Sequence, residues 1–111
     1  MNWDIISKII NNNPDHYWRL SCISKSKYIT WNIVKDNLDK RWDWLGISQN
    51  PNITWNIIVN NPDYPWDWDG ISINPNITWD IIVNNPEDAW DWDQVSINPN
   101  LTSESHRVPR N

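Results

Sequence analysis

A chain of 111 residues with 11 Trp, 3 Tyr and no Phe is one domain's worth of polypeptide, with enough large apolar side chains for a modest core. Its net charge of −5 is unevenly spread: residues 1–48 carry seven Lys/Arg against five Asp, and residues 49–102 carry eight acidic residues and no basic one. Nucleic acid, which needs a basic footprint against its phosphates, is therefore not an expected partner, and neither is a membrane, since no apolar run approaches the length of a span.

Met1 is followed directly by Asn-Trp-Asp-Ile-Ile, without the basic and apolar regions of a signal peptide. The lone Cys22 has no intrachain disulfide partner, which suits a reducing compartment and a small apolar role in the core.

Along the chain a single period dominates. Trp31, Trp55 and Trp79 lie 24 residues apart, as do Trp42, Trp66 and Trp90, and again Trp44, Trp68 and Trp92. Self-similarity at fixed spacing is the signature of a stacked repeat. The first unit, about residues 1–28, is degenerate: Trp18 keeps register with Trp42, but Ser7 stands where a Trp is expected, and Trp3 sits four residues earlier. Units follow at about 29–52, 53–76 and 77–100, the last two identical at 18 of 24 positions. The repeats occupy 1–102. Residues 101–111 hold a partial unit and a polar cap or tail, with Ser103 at the expected Trp position.

Within a unit, Thr54 and Thr78 stand where a helix N-cap belongs, Trp55, Ile58 and Val59 share a helical face, and Asn-Asn-Pro stops the segment. Asp63-Tyr64-Pro65 resembles the start of a second helix. The opposing reading takes the alternation of Ile53, Trp55, Ile57 and Val59 as a strand. Three features favour helices: unit two runs Val34 to Trp42 with little strand character, Trp3 is one helical turn from Ser7, and only two Gly are available for tight hairpins. The expected fold is all-α, a short α-solenoid of two-helix units. The alternative is a β-meander.

The run Asn-Pro-Asn-Ile-Thr-Trp-Asp-Ile-Ile, continuing to Trp-Asp-Trp and Ser96, spans Asn74 to Ser96 and is echoed from Asn50 to Ser72. It resembles the tryptophan-rich tandem repeats of mimivirus-like giant viruses. The likeness covers residues 29–102 and departs at Ser7, Leu38 and Ser103. It implies an AT-rich viral genome and residence in host cytoplasm, viral factory or virion. About activity it implies little.

The Trp-Asp-Trp-Asp motifs at 66–69 and 90–93 could stack on a sugar or cage a cation. Their periodic recurrence fits an interlocking core better. On a helix Trp66 and Trp68 would project about 200° apart, one within the unit and one toward its neighbour. Trp31, Trp42, Trp44, Trp55, Trp66, Trp68, Trp79, Trp90 and Trp92 are thus the expected structural core. Asp69 and Asp93 have no His or Cys beside them and read as first-turn helix charges. His16 and His106 have no nucleophile or second His at a telling spacing. Asn52, Asn76 and Asn100 head glycosylation-type sequons but suit turns, with Thr54, Thr78 and Thr102 as caps. No catalytic residue, metal site or cofactor is expected.

The expectation is a non-catalytic scaffold for protein–protein interaction or self-assembly, with a protein partner or a weak homo-oligomer. The alternative is a carbohydrate- or small-ligand-binding module using exposed Trp. Positions that vary between units should face solvent: Asn56/Asp80, Tyr64/Asp88, Pro65/Ala89 and Gly70/Gln94, with Lys35, Lys40 and Arg41 as a basic set.

Overall fold

A computed structural model describes residues 3–12 and 23–102, and among them every regular element is helical. Helix α1 spans Trp3–Asn12. Three pairs follow: α2 (Trp31–Asp36) and α3 (Trp44–Ser48), α4 (Trp55–Asn60) and α5 (Trp68–Ile73), α6 (Trp79–Asn84) and α7 (Trp92–Ile97). A last turn, α8, covers Pro99–Thr102. The β-meander is overturned.

Helices of five or six residues are too short to persist alone in water, so their ends and contacts must hold them. The first helix of each pair is capped by Thr30, Thr54 or Thr78, whose hydroxyl accepts the backbone N–H of Ile33, Ile57 or Ile81. It closes at Asn37, Asn61 or Asn85, whose amide donates to the carbonyl four residues back and satisfies an orphaned helix-end group. Pro62 and Pro86 then bar continuation.

The second helix starts later than Asp63-Tyr64-Pro65 suggests. Those residues form a turn and the entry to an extended link, and the true cap is the first Asp of Trp-Asp-Trp-Asp. Asp43, Asp67 and Asp91 have extended backbones and accept N–H groups from the helices they begin. Trp66 therefore lies before the helix and Trp68 is its first residue, so the 200° helical projection does not apply. The motif spells an aromatic link residue, a cap, a first-turn indole and a first-turn charge.

The core is built of columns spaced by the repeat: Ile29, Ile53, Ile77 and Leu101; Val34, Ile58 and Ile82; Ile47, Ile71 and Val95. Full burial of each such side chain is worth about 1.5–3 kcal/mol. Trp42 and Trp90 join them as buried indoles. The second helices stack on one another, α3 on α5 and α5 on α7. Gly70 permits the first of these contacts: a Cβ there would sit 2.6 Å from the Leu45 carbonyl oxygen and 2.7 Å from the Ser48 Cβ. Gly70 is buried for that reason and does not face solvent as its variability suggested.

Candidate interaction surface

Units are joined by polar columns as well as apolar ones. The hydroxyls of Ser24, Ser48 and Ser72, all fully buried, accept the N–H of the Asp cap 19 residues on, at 3.1, 2.9 and 2.9 Å. Asn50, Asn74 and Asn98, also fully buried, send their amide N–H groups into carbonyls of the preceding unit, including Ser24 at 2.7 Å, Ser48 at 2.8 Å and Ser72 at 2.9 Å. Their side-chain oxygens each accept the backbone N–H of Asn52, Asn76 or Asn100. Those second asparagines reach back too, Asn52 to Ile29, Asn76 to Ile53 and Asn100 to Ile77. The Asn of each sequon is thus a bond between units and more than a turn residue. No buried side-chain nitrogen or oxygen among the described residues lacks a partner. Ser24, Ser48, Ser72, Asn50, Asn74 and Asn98 share the 24-residue spacing in the sequence, and that spacing is the one signal there of their bridging role.

The indoles form a third set of columns. Trp42, Trp66 and Trp90 donate from Nε1 to the carbonyls of Asn37, Asn61 and Asn85 at 2.7–2.8 Å. Trp66 lies over Trp31 and Trp44 of the preceding unit, with ring centroids 5.3 and 5.5 Å away, and Trp90 lies over Trp55 and Trp68 at 5.7 and 5.1 Å. Trp3 meets Trp42 at 5.6 Å and 37°, close to the 35° of the Trp31–Trp66 pair. Trp3 thus takes the position that Ser7 leaves without an indole. Trp31, Trp44, Trp55, Trp66, Trp68 and Trp79 are half-buried against the core. Trp92 is not core: it is 58% exposed, because no following indole among the described residues covers it as Trp66 covers Trp44 and Trp90 covers Trp68.

Of the variable positions, Asn56, Asp80, Asp88, Pro65 and Ala89 are exposed, whereas Tyr64 and Gln94 are half-buried. Lys35 and Arg41 are exposed, and Lys40 is half-buried with its ammonium 3.4 Å from Asp39. Tyr64 packs on Trp31 and Trp44 at centroid distances of 5.0 and 5.8 Å. In the next unit Asp88 replaces it, and an open groove of about 490 Å³ lies there, lined by Trp55, Trp68, Pro62, Tyr64, Pro65 and Asp88 among others.

The 49–102 stretch is acidic throughout, and two of its carboxylates meet. A hydrogen bond between the Asp69 and Asp91 carboxyls raises Asp69 above the usual carboxylate value, with desolvation and the nearby negative charges adding to it. The same bond, with the Gln94 N–H, lowers Asp91. The pair thus shares a proton across the window between them. Among the described residues, no group of three or more His, Cys, Asp or Glu side chains is placed to hold a metal ion, and no helix is long and apolar enough to cross a membrane. Cys22, His16, Trp18, Ser103 and His106 lie outside the described residues. No family model matches the chain, and no curated protein or solved structure matches it either.

Proposed function

We propose that this chain is a non-catalytic repeat scaffold, of the giant-virus type its sequence resembles, that works through protein–protein contact or self-assembly at the α7 face of its 77–100 unit. The observation that carries this reading is on α7. Trp92 and Ile97 are 58% and 61% exposed, at the positions where Trp68 and Ile73 are half-buried one unit earlier. Among the described residues the polar column also ends at this face. Ser96 Oγ, equivalent to the hydroxyls that receive the next cap, instead donates to the carbonyl of its own Asp93 at 2.7 Å. Two large apolar side chains beside a turned-back hydroxyl form a surface shaped to take another unit.

Light scattering across a concentration series tests this with Trp92→Ser/Ile97→Ser beside the parent chain. Self-association or capture of a unit-bearing partner by the parent, lost in the double variant with its helical circular dichroism unchanged, is the expected result. Equal behaviour of the two chains would refute it.

A further inference from the structure

Tyr64 and Asp88 occupy equivalent positions 24 residues apart, yet they leave opposite surfaces behind them. The phenol of Tyr64 sits edge-on to Trp31 at 85° and tilted at 30° to Trp44, so one flat six-membered ring fills the space between the units. Beneath Asp88 the same two walls persist, with Trp55 and Trp68 at 63° and 6.3 Å, but no ring fills the gap. A carboxylate side chain cannot replace it: Asp is shorter, and its charge keeps it in water. Asp88 is exposed and its side chain makes no hydrogen bond or ion pair with the described residues.

The groove therefore offers aromatic faces shaped for a planar group and, at its rim, an anionic acceptor. Its surroundings reinforce the sign, since residues 49–102 carry no Lys or Arg. A guanidinium satisfies all three conditions. It is planar, stacks on indole faces, and presents paired N–H donors that match a carboxylate. Lysine supplies the charge without the plane, and a neutral aromatic the plane without the charge. The volume of about 490 Å³ leaves room for the arginine stem and adjoining backbone.

We infer that the groove between Trp55, Trp68 and Asp88 is a binding site for an arginine side chain presented by a partner peptide. The site is separate from the α7 face and stands or falls without it.

The test uses three blocked peptides, Gly-Arg-Gly, Gly-Lys-Gly and Gly-citrulline-Gly, titrated into the full chain while assigned indole N–H resonances are followed. Saturable shifts at Trp55 and Trp68 are expected with the arginine peptide. Binding about tenfold weaker is expected with lysine and with citrulline, which is planar but uncharged. Asp88→Asn should weaken arginine binding by a similar factor. Asp88→Tyr, which copies the Tyr64 arrangement, should abolish it without lowering the thermal midpoint, so loss of binding cannot be confused with loss of fold. Equal binding of citrulline, unaltered binding by the Asp88→Tyr chain, or no saturable shift with arginine would overturn the assignment. So would a dimer that Asp88→Tyr converts to monomer, which would place a second copy in the groove.

Discussion

Replacing Asn74 by Ala removes a side chain that links two units from a fully buried position. Its Nδ2 donates to the carbonyls of Ser48 at 2.8 Å, Asn50 at 3.2 Å and Ile53 at 3.0 Å, and its Oδ1 accepts the Asn76 N–H at 2.7 Å. Two of the carbonyls keep other donors: Ile53 retains the Asn76 amide and Asn50 retains the Ile53 N–H. The Ser48 carbonyl and the Asn76 N–H lose theirs. Each unsatisfied buried group costs about 1–3 kcal/mol. Asn76 is half-buried and water relieves part of its share, which leaves a total of about 3 kcal/mol. Against the ~5–15 kcal/mol that holds an ordinary domain, that is a large fraction. Urea midpoints by circular dichroism measure it, with the exposed Asn56→Ala as a control expected within about 0.5 kcal/mol. Asn74→Asp separates donor loss from side-chain loss. Its carboxylate faces carbonyl oxygens, so its folded value is raised, and stability is lost as pH rises through that value and regained in acid. An Asn74→Ala midpoint indistinguishable from that of Asn56→Ala would refute the bridging role.

Trp90→Ala, at a residue only 6% exposed and hydrogen-bonded to Asn85, should cost ~3–5 kcal/mol. Trp92→Ala, more than half exposed, should shift the urea midpoint little. Equal losses would contradict the aromatic columns. For the Asp69–Asp91 pair, the raised Asp69 contributes stability that is lost as pH climbs from the usual carboxylate value through its own. The lowered Asp91 contributes stability that is lost as pH falls from the usual value through its own. The pair therefore helps most near a pH of ~3.9. Asp69→Asn, which keeps a donor toward Asp91 at every pH, should raise the midpoint at neutral pH and remove the decline above the acid maximum. A lower neutral midpoint with an unchanged profile would contradict this.

Apolar period and caps were enough to read helices, because Thr54 and Thr78 do in the structure what their place before Trp55 and Trp79 requires. The same logic placed Trp3 one turn from Ser7, and the structure adds that its ring meets Trp42. The second helix was misplaced because Pro65 looks like a first-turn residue, whereas Asp67 holds the cap geometry; proline suits an extended link equally well. Trp92 reads identically to Trp44 and Trp68 in sequence and differs only in what lies above it. Burial depends on neighbours, and a repeat motif does not state which of its copies has one. The asparagine columns were not legible for a different reason. Asn beside Pro normally signals an exposed turn, and only the stacked geometry shows that Asn50, Asn74 and Asn98 turn their amides inward.

These polar columns also give the stack a direction, which bears on how copies would meet. In these columns the later unit supplies the donors, the cap N–H to Ser48 or Ser72 and the Asn74 or Asn98 amide to the Ser48 or Ser72 carbonyl; outside them, Trp79 Nε1 donates forward to the Leu101 carbonyl. At the column positions the α7 face accordingly presents acceptors, and it lies in the stretch with eight acidic residues and no basic one. Two such faces set against each other about a two-fold axis would oppose acceptor to acceptor and negative charge to negative charge. A head-to-tail contact instead brings this face toward residues 1–48, whose seven Lys/Arg exceed their five Asp. Association through α7 should therefore be heterologous and weakened by salt, since attraction between exposed charges is screened beyond ~10 Å at 0.1 M and ~3 Å at 1 M. Sedimentation at low and high salt distinguishes the two arrangements. Species that grow past a dimer with concentration at low salt and dissociate at high salt are expected; a closed dimer insensitive to salt would refute the head-to-tail geometry.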